Sequence, residues 1–109
     1  MITFTMKNYD RKEAWERRFE VVEQVKEGSK ILLDGSREYE IVRISTSEDG
    51  EIPEFKISPI GKTLEKCQIE HDEVWAKNNP EELAAGEYPD FSFTVEAMWF
   101  FCRDVKVCA

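Results

Sequence analysis

The chain is poor in the residues that hold together small secreted or metal-dependent domains. Its 109 residues include three cysteines, five glycines and four prolines. An odd cysteine count without a CxxC pair argues against a disulfide framework and indicates reduced thiols. No apolar run approaches the ~18 residues that span a bilayer, and no signal-peptide pattern opens the sequence. We therefore expect a cytoplasmic protein that does not bind a membrane.

Positive charge is also scarce. The 15 Lys and Arg residues face 23 Asp and Glu residues, which gives a net charge of −8 and an isoelectric point near 4.7. Because nucleic-acid-binding domains are normally basic, we expect no direct contact with nucleic acid. The apolar fraction of 41% is high enough for a folded core and argues against disorder. The length predicts one domain, residues 1–109.

Motifs of known chemistry are missing too. The sequence contains no GxSxG elbow, no P-loop and no calcium-binding loop. Cys67 and His71 could form a nucleophilic pair, and with Cys102 and Cys108 they would supply four zinc ligands. The spacing within each pair, Cys67 with His71 and Cys102 with Cys108, does not form the tight turn that is usual in structural zinc sites. The sequence therefore predicts a non-enzymatic protein without metal or cofactor, with a small hydrolase or metal site at Cys67 and His71 as an alternative.

The first third of the chain predicts a strand followed by a helix. Alternating apolar residues favour a strand at residues 2–6. Asp10 is a good N-cap, Glu13 completes a capping box and Gly28 ends the helix, which gives a helix over residues 10–27. One apolar stripe at helical spacing is predicted to pack on a sheet. It consists of Trp15, Phe19, Val22 and Val25, and Val21 widens it.

The middle of the chain predicts short strands and tight turns. Lys30–Leu33 and Glu38–Ser45 are β-prone runs on either side of Asp34-Gly35-Ser36-Arg37, which indicates a hairpin. A third strand is predicted near Pro53–Ser58. Its flanking prolines favour an edge position in the sheet.

The last part of the chain is less determined. In residues 62–77 one helical face would hold Leu64, Cys67, His71, Val74 and Trp75. One strand face would equally hold Cys67, Ile69 and His71, so the sequence leaves helix and strand open. Asn79-Pro80 predicts a helix start. The apolar alternation from Phe91 to Val107 favours one or two strands, with a helix from Val95 to Arg103 as the competitor. These elements predict an α+β domain in which one N-terminal amphipathic helix packs on a small, curved, mostly antiparallel sheet of about four to six strands.

The negative charge is concentrated in one segment. The window 65–96 holds nine acidic and two basic residues, which accounts for −7 of the net −8. A general role in solubility explains such charge. The sharper hypothesis is an acidic surface that docks on a basic protein and occupies a nucleic-acid-binding groove as a phosphate mimic, as small phage-type accessory or anti-defence inhibitors do. The predicted partner-binding residues are Glu70, Asp72, Glu73, Trp75, Glu81, Glu82, Glu87 and Tyr88.

A structural role is the competing hypothesis. Trp99, Phe100 and Phe101 are consecutive aromatics that cannot all face one side of a strand. If one face of the C-terminal run were exposed, it would form an apolar interface between copies of the chain. The sequence leaves a monomer and a homodimer open.

Overall fold

Six strands in the described part of the chain form one open antiparallel sheet. The computed structural model describes residues 2–4, 6–78 and 88–108. The strand order is β1-β6-β2-β3-β4-β5, and each neighbouring pair is antiparallel. In chain order the elements are β1 (Ile2–Thr3), α1 (Arg11–Glu16), α2 (Arg18–Gln24), β2 (Lys30–Leu33), β3 (Arg37–Thr46), β4 (Pro53–Pro59), α3 (Gly61–Asn78), β5 (Phe93–Glu96), α4 (Trp99–Cys102) and β6 (Val105–Cys108).

The α+β class and the antiparallel sheet are confirmed, whereas the expectation of a single helix is wrong. Alternate side chains of the central strands are buried and form one core, which includes Ile31, Leu33, Tyr39, Ile41, Phe55, Ile57, Val95, Val105 and Val107. The residues between them are polar for the most part and half-buried or exposed, as expected for a sheet packed on one side. Among the described residues, no helix is long and apolar enough to cross a membrane.

The predicted hairpin is present as β2 and β3. Its turn places Asp34 at φ 52° and Gly35 at φ 76°, the two positive values that a type I′ turn requires. The Asp34 carboxylate accepts a hydrogen bond from Arg37 at 2.7 Å and one from Arg103 at 3.4 Å. The hydrogen bond from Arg37 is the main reason that the pKa of Asp34 lies below its ordinary value.

The predicted edge position of the third strand is wrong. β4 lies between β3 and β5 and pairs with both. Pro53 and Pro59 occupy its first and last positions. Both prolines pair with β3, but neither pairs with β5. They thus lie where the pairing on one side of β4 has already ended, and a central strand tolerates them there.

The N-terminal helix begins as predicted but is divided in two. The Asp10 carboxylate accepts hydrogen bonds from the N–H groups of Lys12 at 2.9 Å and Glu13 at 3.5 Å. At Arg17 the backbone leaves helical geometry, with φ −95° and ψ 4°. This residue separates α1 from α2, which ends at Gln24 rather than at residue 27.

The predicted stripe meets the core only in part, through Val25 in the core and Val22 packed against it. Ala14, Val21 and Val25 are fully buried, whereas Trp15 and Phe19 are exposed. The small Ala14 side chain permits a close approach to the core. The two large rings lie at the flank, where the Arg18 guanidinium covers them at 3.9 Å and 4.7 Å from the ring centroids.

The C-terminal run contributes two strands and the centre of the core. The predicted strands are present as β5 and β6, and the single-turn helix α4 joins them within the range of the competing helix. Phe100 and Phe101 of α4 are fully buried, and Phe4 contacts each edge-on at 5.9 Å. The predicted strand at residues 2–6 is shorter, since β1 ends at Thr3. The predicted helix start at Asn79 lies outside the described residues.

Residues 62–77, left open by the sequence, form most of α3. The helix starts just after β4 ends. The Glu38 carbonyl still accepts a backbone hydrogen bond from the Ile60 N–H at 3.1 Å, whereas the Glu38 N–H donates to the Thr63 hydroxyl at 2.7 Å. A side-chain acceptor thus takes the place of a strand partner for this N–H, and Gly61 makes the change of direction with φ 55°.

Replacing Gly61 with alanine should destabilise the fold. A left-handed conformation costs an L-residue about 1–2 kcal/mol, and the new Cβ would lie 2.6 Å from Glu38 Oε2, which must move. We expect a loss of about 1–2 kcal/mol in the free energy of unfolding, measured by urea denaturation. Gly61→Asn is the control and should lose less, because asparagine tolerates this conformation better. Equal stability of Gly61→Ala and the wild type would contradict the assigned turn.

Candidate functional site

Helix α3 lies on the surface with an unusual amount of exposed apolar side chain. It has 18 residues, and none of its side chains that the structure describes is fully buried. Ile69 is 58% exposed, Val74 is 61% exposed and Trp75 is 37% exposed. Helices in proteins gain most of their stability from packing an apolar face. α3 contacts β3 and β4 but leaves part of its apolar surface to solvent.

An aromatic cluster joins α3 to the segment 88–91. The His71 ring stacks on Trp75, with centroids 5.8 Å apart and planes 15° from parallel. Tyr88 and Phe91 meet His71 edge-on at 5.6 Å and 6.1 Å. His71 and Trp75 share a side of the helix because they are four residues apart. The cluster therefore fixes the position of Tyr88 against the second half of α3.

The main polar contact of this cluster is a hydrogen bond that Asp72 accepts. The Tyr88 hydroxyl donates a hydrogen bond to Asp72 Oδ2 at 2.9 Å, and His71 Nδ1 lies 3.8 Å from Asp72 Oδ1. The bond to Asp72 raises the pKa of Tyr88 above its ordinary value. Loss of the phenol proton would remove the donor and place two negative charges side by side.

The structure brings three of the predicted partner-binding residues together and separates others from them. Asp72, Trp75 and Tyr88 all belong to the cluster around His71. Glu70 and Glu73 are exposed on α3 and neighbour each other one turn apart. The remaining predicted residues lie outside the described part of the chain, and they are Glu81, Glu82 and Glu87.

The charges along α3 do not follow the helix dipole. Acidic side chains stabilise the first turn of a helix and basic ones the last turn. The first turn of α3 has no acidic residue, and only Lys77 is basic in the last turn. Lys62 and Lys66 lie in the first half, whereas Glu70 and Glu73 lie in the second. These charges thus stabilise the helix little by this route, although Lys66 lies 4.0 Å from Glu70.

Sequence reasoning missed Ile69 as a surface residue of interest. In the helical reading of residues 62–77, Ile69 falls outside the stripe through Leu64, Cys67 and His71, which are half-buried. An apolar residue on the outer side of an amphipathic helix was the available signal. Val74 was placed in the buried stripe, but it is exposed.

The thiols and His71 do not form a cluster of metal ligands in the described part of the chain. Cys67, Cys102 and Cys108 are free. No group of three or more His, Cys, Asp or Glu side chains within residues 2–4, 6–78 and 88–108 is placed to hold a metal ion. His71 Nδ1 is buried and has no hydrogen-bond partner among these residues.

Comparison with protein-family models, with curated proteins and with solved structures finds no significant match. The exposed side of α3, with its apolar and acidic residues, is therefore the feature from which a function is inferred.

The contact between Asp72 and Tyr88 predicts a specific titration. In the wild type the pKa of Tyr88 is raised mainly by its hydrogen bond to Asp72, so Asp72→Ala should lower it towards the ordinary value. Because the folded-state pKa is the higher one, the stabilisation is complete below the ordinary tyrosine pKa and is lost as the pH rises through that of Tyr88. NMR of ¹³Cζ-labelled tyrosine resolves the individual rings. Glu73→Ala is the control, and an equal change there would contradict the contact.

Proposed function

We propose that this chain is a non-enzymatic protein-binding module that docks on a basic surface of another protein through the exposed side of α3. We propose that this basic surface is the groove with which a nucleic-acid-binding protein binds phosphate groups. The module would then act as an inhibitor or accessory protein by occupying that surface. The observation that carries the proposal is the exposure of Ile69 and Val74 next to Glu70 and Glu73. None of the side chains of α3 that the structure describes is fully buried.

The apolar residues of α3 supply the contact area that such docking needs. Interfaces between proteins have an apolar or aromatic centre within a polar rim, and a few anchors carry most of the binding energy. Ile69 and Val74 are each more than half exposed. Trp75 follows Val74 in the helix and is 37% exposed, with its ring held by the stack on His71. A ring that is already ordered loses little conformational entropy on binding.

The acidic residues define the chemistry of the partner. The window 65–96 carries −7 of the net charge of −8, and Glu70 and Glu73 place two of its carboxylates on α3. Charge complementarity speeds encounter and selects among partners more than it adds affinity. A basic partner surface thus fits the rim, and the apolar side chains supply the affinity.

The competing structural role finds less support. It requires an exposed apolar face in the run from Phe91 to Val107. Val95, Phe100, Phe101 and Val105 of this run are buried in the chain's own core. An interface between copies built on these side chains would have to open that core.

The experiment measures the binding of a partner purified from the cells that make this protein. We expect its affinity to fall as salt is raised, because the rim is solvent-exposed. The double substitution Glu70→Lys with Glu73→Lys should weaken binding at least about tenfold. An oligonucleotide should compete with the chain for the partner.

The control carries the same change in charge elsewhere. Glu48 and Glu51 are exposed in the turn between β3 and β4, and both are replaced with lysine. This variant should bind as the wild type does. A partner that is insensitive to salt and to both double substitutions would contradict the proposal, as would a partner that turns out to be a second copy of the chain.

A further inference from the structure

We propose that the hollow at the start of α3 binds the phosphate group of a small phosphorylated molecule. This site goes beyond the docking function and lies at the opposite end of α3 from the aromatic cluster. The hollow has a volume of about 490 Å³, and its lining consists of Ser36, Arg37, Tyr39, Lys62, Thr63, Lys66, Cys67 and Glu70. Three of these side chains are cations and one is an anion, in a chain whose net charge is −8.

The three cations keep much of their binding capacity. Arg37 uses one terminal nitrogen for Asp34 at 2.7 Å, which leaves its other N–H groups to solvent. Lys66 lies 4.0 Å from Glu70, and both side chains are well exposed. Within the described ranges Lys62 makes no ion pair. Arginine and lysine side chains of this kind are the usual ligands of phosphate.

The backbone at the start of α3 adds donors. The first N–H groups of a helix have no acceptor within the helix and attract anions. The N–H groups of Lys62 and Thr63 donate to no acceptor among the residues the structure describes. The nearby carboxylate of Glu38 reaches Gly61 but lines a separate hollow with Leu32 and Ile60.

Tyr39 gives an independent indication of a ligand. Its side chain lines the hollow although only 7% of the residue is exposed. The ring packs edge-on against Phe93 at 5.8 Å. Its hydroxyl makes no hydrogen bond within the described part of the chain. The Tyr39 side chain is thus more than nine-tenths buried, while its hydroxyl stays accessible from the hollow. A polar group of a bound molecule would accept its hydrogen bond there.

The size of the hollow favours a molecule larger than a bare ion. Small-molecule sites commonly measure about 300–1,000 Å³, and the volume here falls within this range. The phosphate would meet Lys62, Lys66 and the helix start, while the rest of the molecule would lie along Ser36 and Tyr39. A nucleoside monophosphate is a suitable probe.

The test is an NMR titration of the full chain with inorganic phosphate and with a nucleoside monophosphate, each against sodium chloride of equal ionic strength. We expect both phosphates to shift the amide signals of Lys62 and Thr63, and the nucleotide to bind more tightly. Lys62→Gln with Lys66→Gln should weaken binding at least about tenfold. Glu70→Gln should strengthen it, which separates this site from the docking surface, where loss of Glu70 weakens binding.

A matched variant controls for net charge. Lys30→Gln with Lys106→Gln removes two cations from the sheet, outside the hollow, and should leave phosphate binding unchanged. Tyr39→Phe should weaken it a few-fold while the ring keeps its packing. Equal shifts with chloride, or equal losses in the two lysine pairs, would show general charge screening and overturn the proposal. Tighter binding of inorganic phosphate than of the nucleotide would overturn the assigned ligand class.

Discussion

Replacing Phe100 with alanine should lower the free energy of unfolding by about 3–5 kcal/mol. The ring is fully buried and lies between those of Phe4, Phe55 and Trp99 at 5.9, 5.0 and 5.4 Å. Its removal leaves a cavity that these neighbours cannot fill without moving. Domains are stable by only about 5–15 kcal/mol, so this loss is a large part of the total. Urea denaturation followed by circular dichroism measures the loss.

Phe19→Ala is the matched control. The Phe19 ring is exposed and lies under the Arg18 guanidinium, so its loss should cost no more than about 1 kcal/mol. The stripe predicted from the sequence would place Phe19 against the sheet. In that case Phe19→Ala would cause a large loss of stability. A large loss in Phe19→Ala with a small one in Phe100→Ala would contradict the packing described above.

Replacing Ile69 and Val74 together with glutamine should abolish most partner binding without unfolding the protein. Both side chains are more than half exposed, and glutamine is a good helix former, so stability should change by no more than about 0.5 kcal/mol per site. Loss of the apolar anchors should cost at least about 2 kcal/mol of binding, which is roughly 30-fold in affinity. Calorimetric titration with the purified partner measures the loss.

This double variant leaves the net charge unchanged, so it isolates the apolar part of the proposed surface. Val42→Gln is the control, because Val42 is an exposed aliphatic residue of β3. It should bind as the wild type does. Full affinity in the double variant would show that Ile69 and Val74 take no part in docking.

Local signals in the sequence predicted the parts of the fold that depend on near neighbours. The Asp10 cap involves residues two and three positions away, and the turn at Asp34 and Gly35 needs only their own backbone angles. Such features can be read from a few consecutive residues. The helix start and the hairpin were therefore predicted correctly.

Features that depend on distant residues were not predictable in the same way. β4 is central because β5, some forty positions later, pairs with it. At the start of α3, Thr63 accepts a hydrogen bond from Glu38, 25 positions earlier. Cys67 and His71 fit a helix and a strand equally well, so periodicity alone could not decide between them.

The candidate site also combines features that were predictable from nearby residues with features that depend on distant ones. Charge counting located the acidic segment, and the spacing of Glu70 and Glu73 follows once α3 is known to be a helix. The contact between Asp72 and Tyr88 spans 16 positions and needed the fold. The basic hollow joins Arg37 of β3 to Lys62 and Lys66 of α3, and no pattern in either segment alone indicates it.

Site-specific photo-crosslinking tests docking through α3 most directly. A photoreactive phenylalanine analogue is placed at Ile69 in one variant and at Val42 in another, and each is irradiated in an extract of the producing cells. We expect the Ile69 variant to capture a basic protein, the yield to fall as salt is raised, and the Val42 variant not to capture it. Capture of the same protein in equal yield from both positions, or of a second copy of the chain from Ile69, would contradict docking through α3.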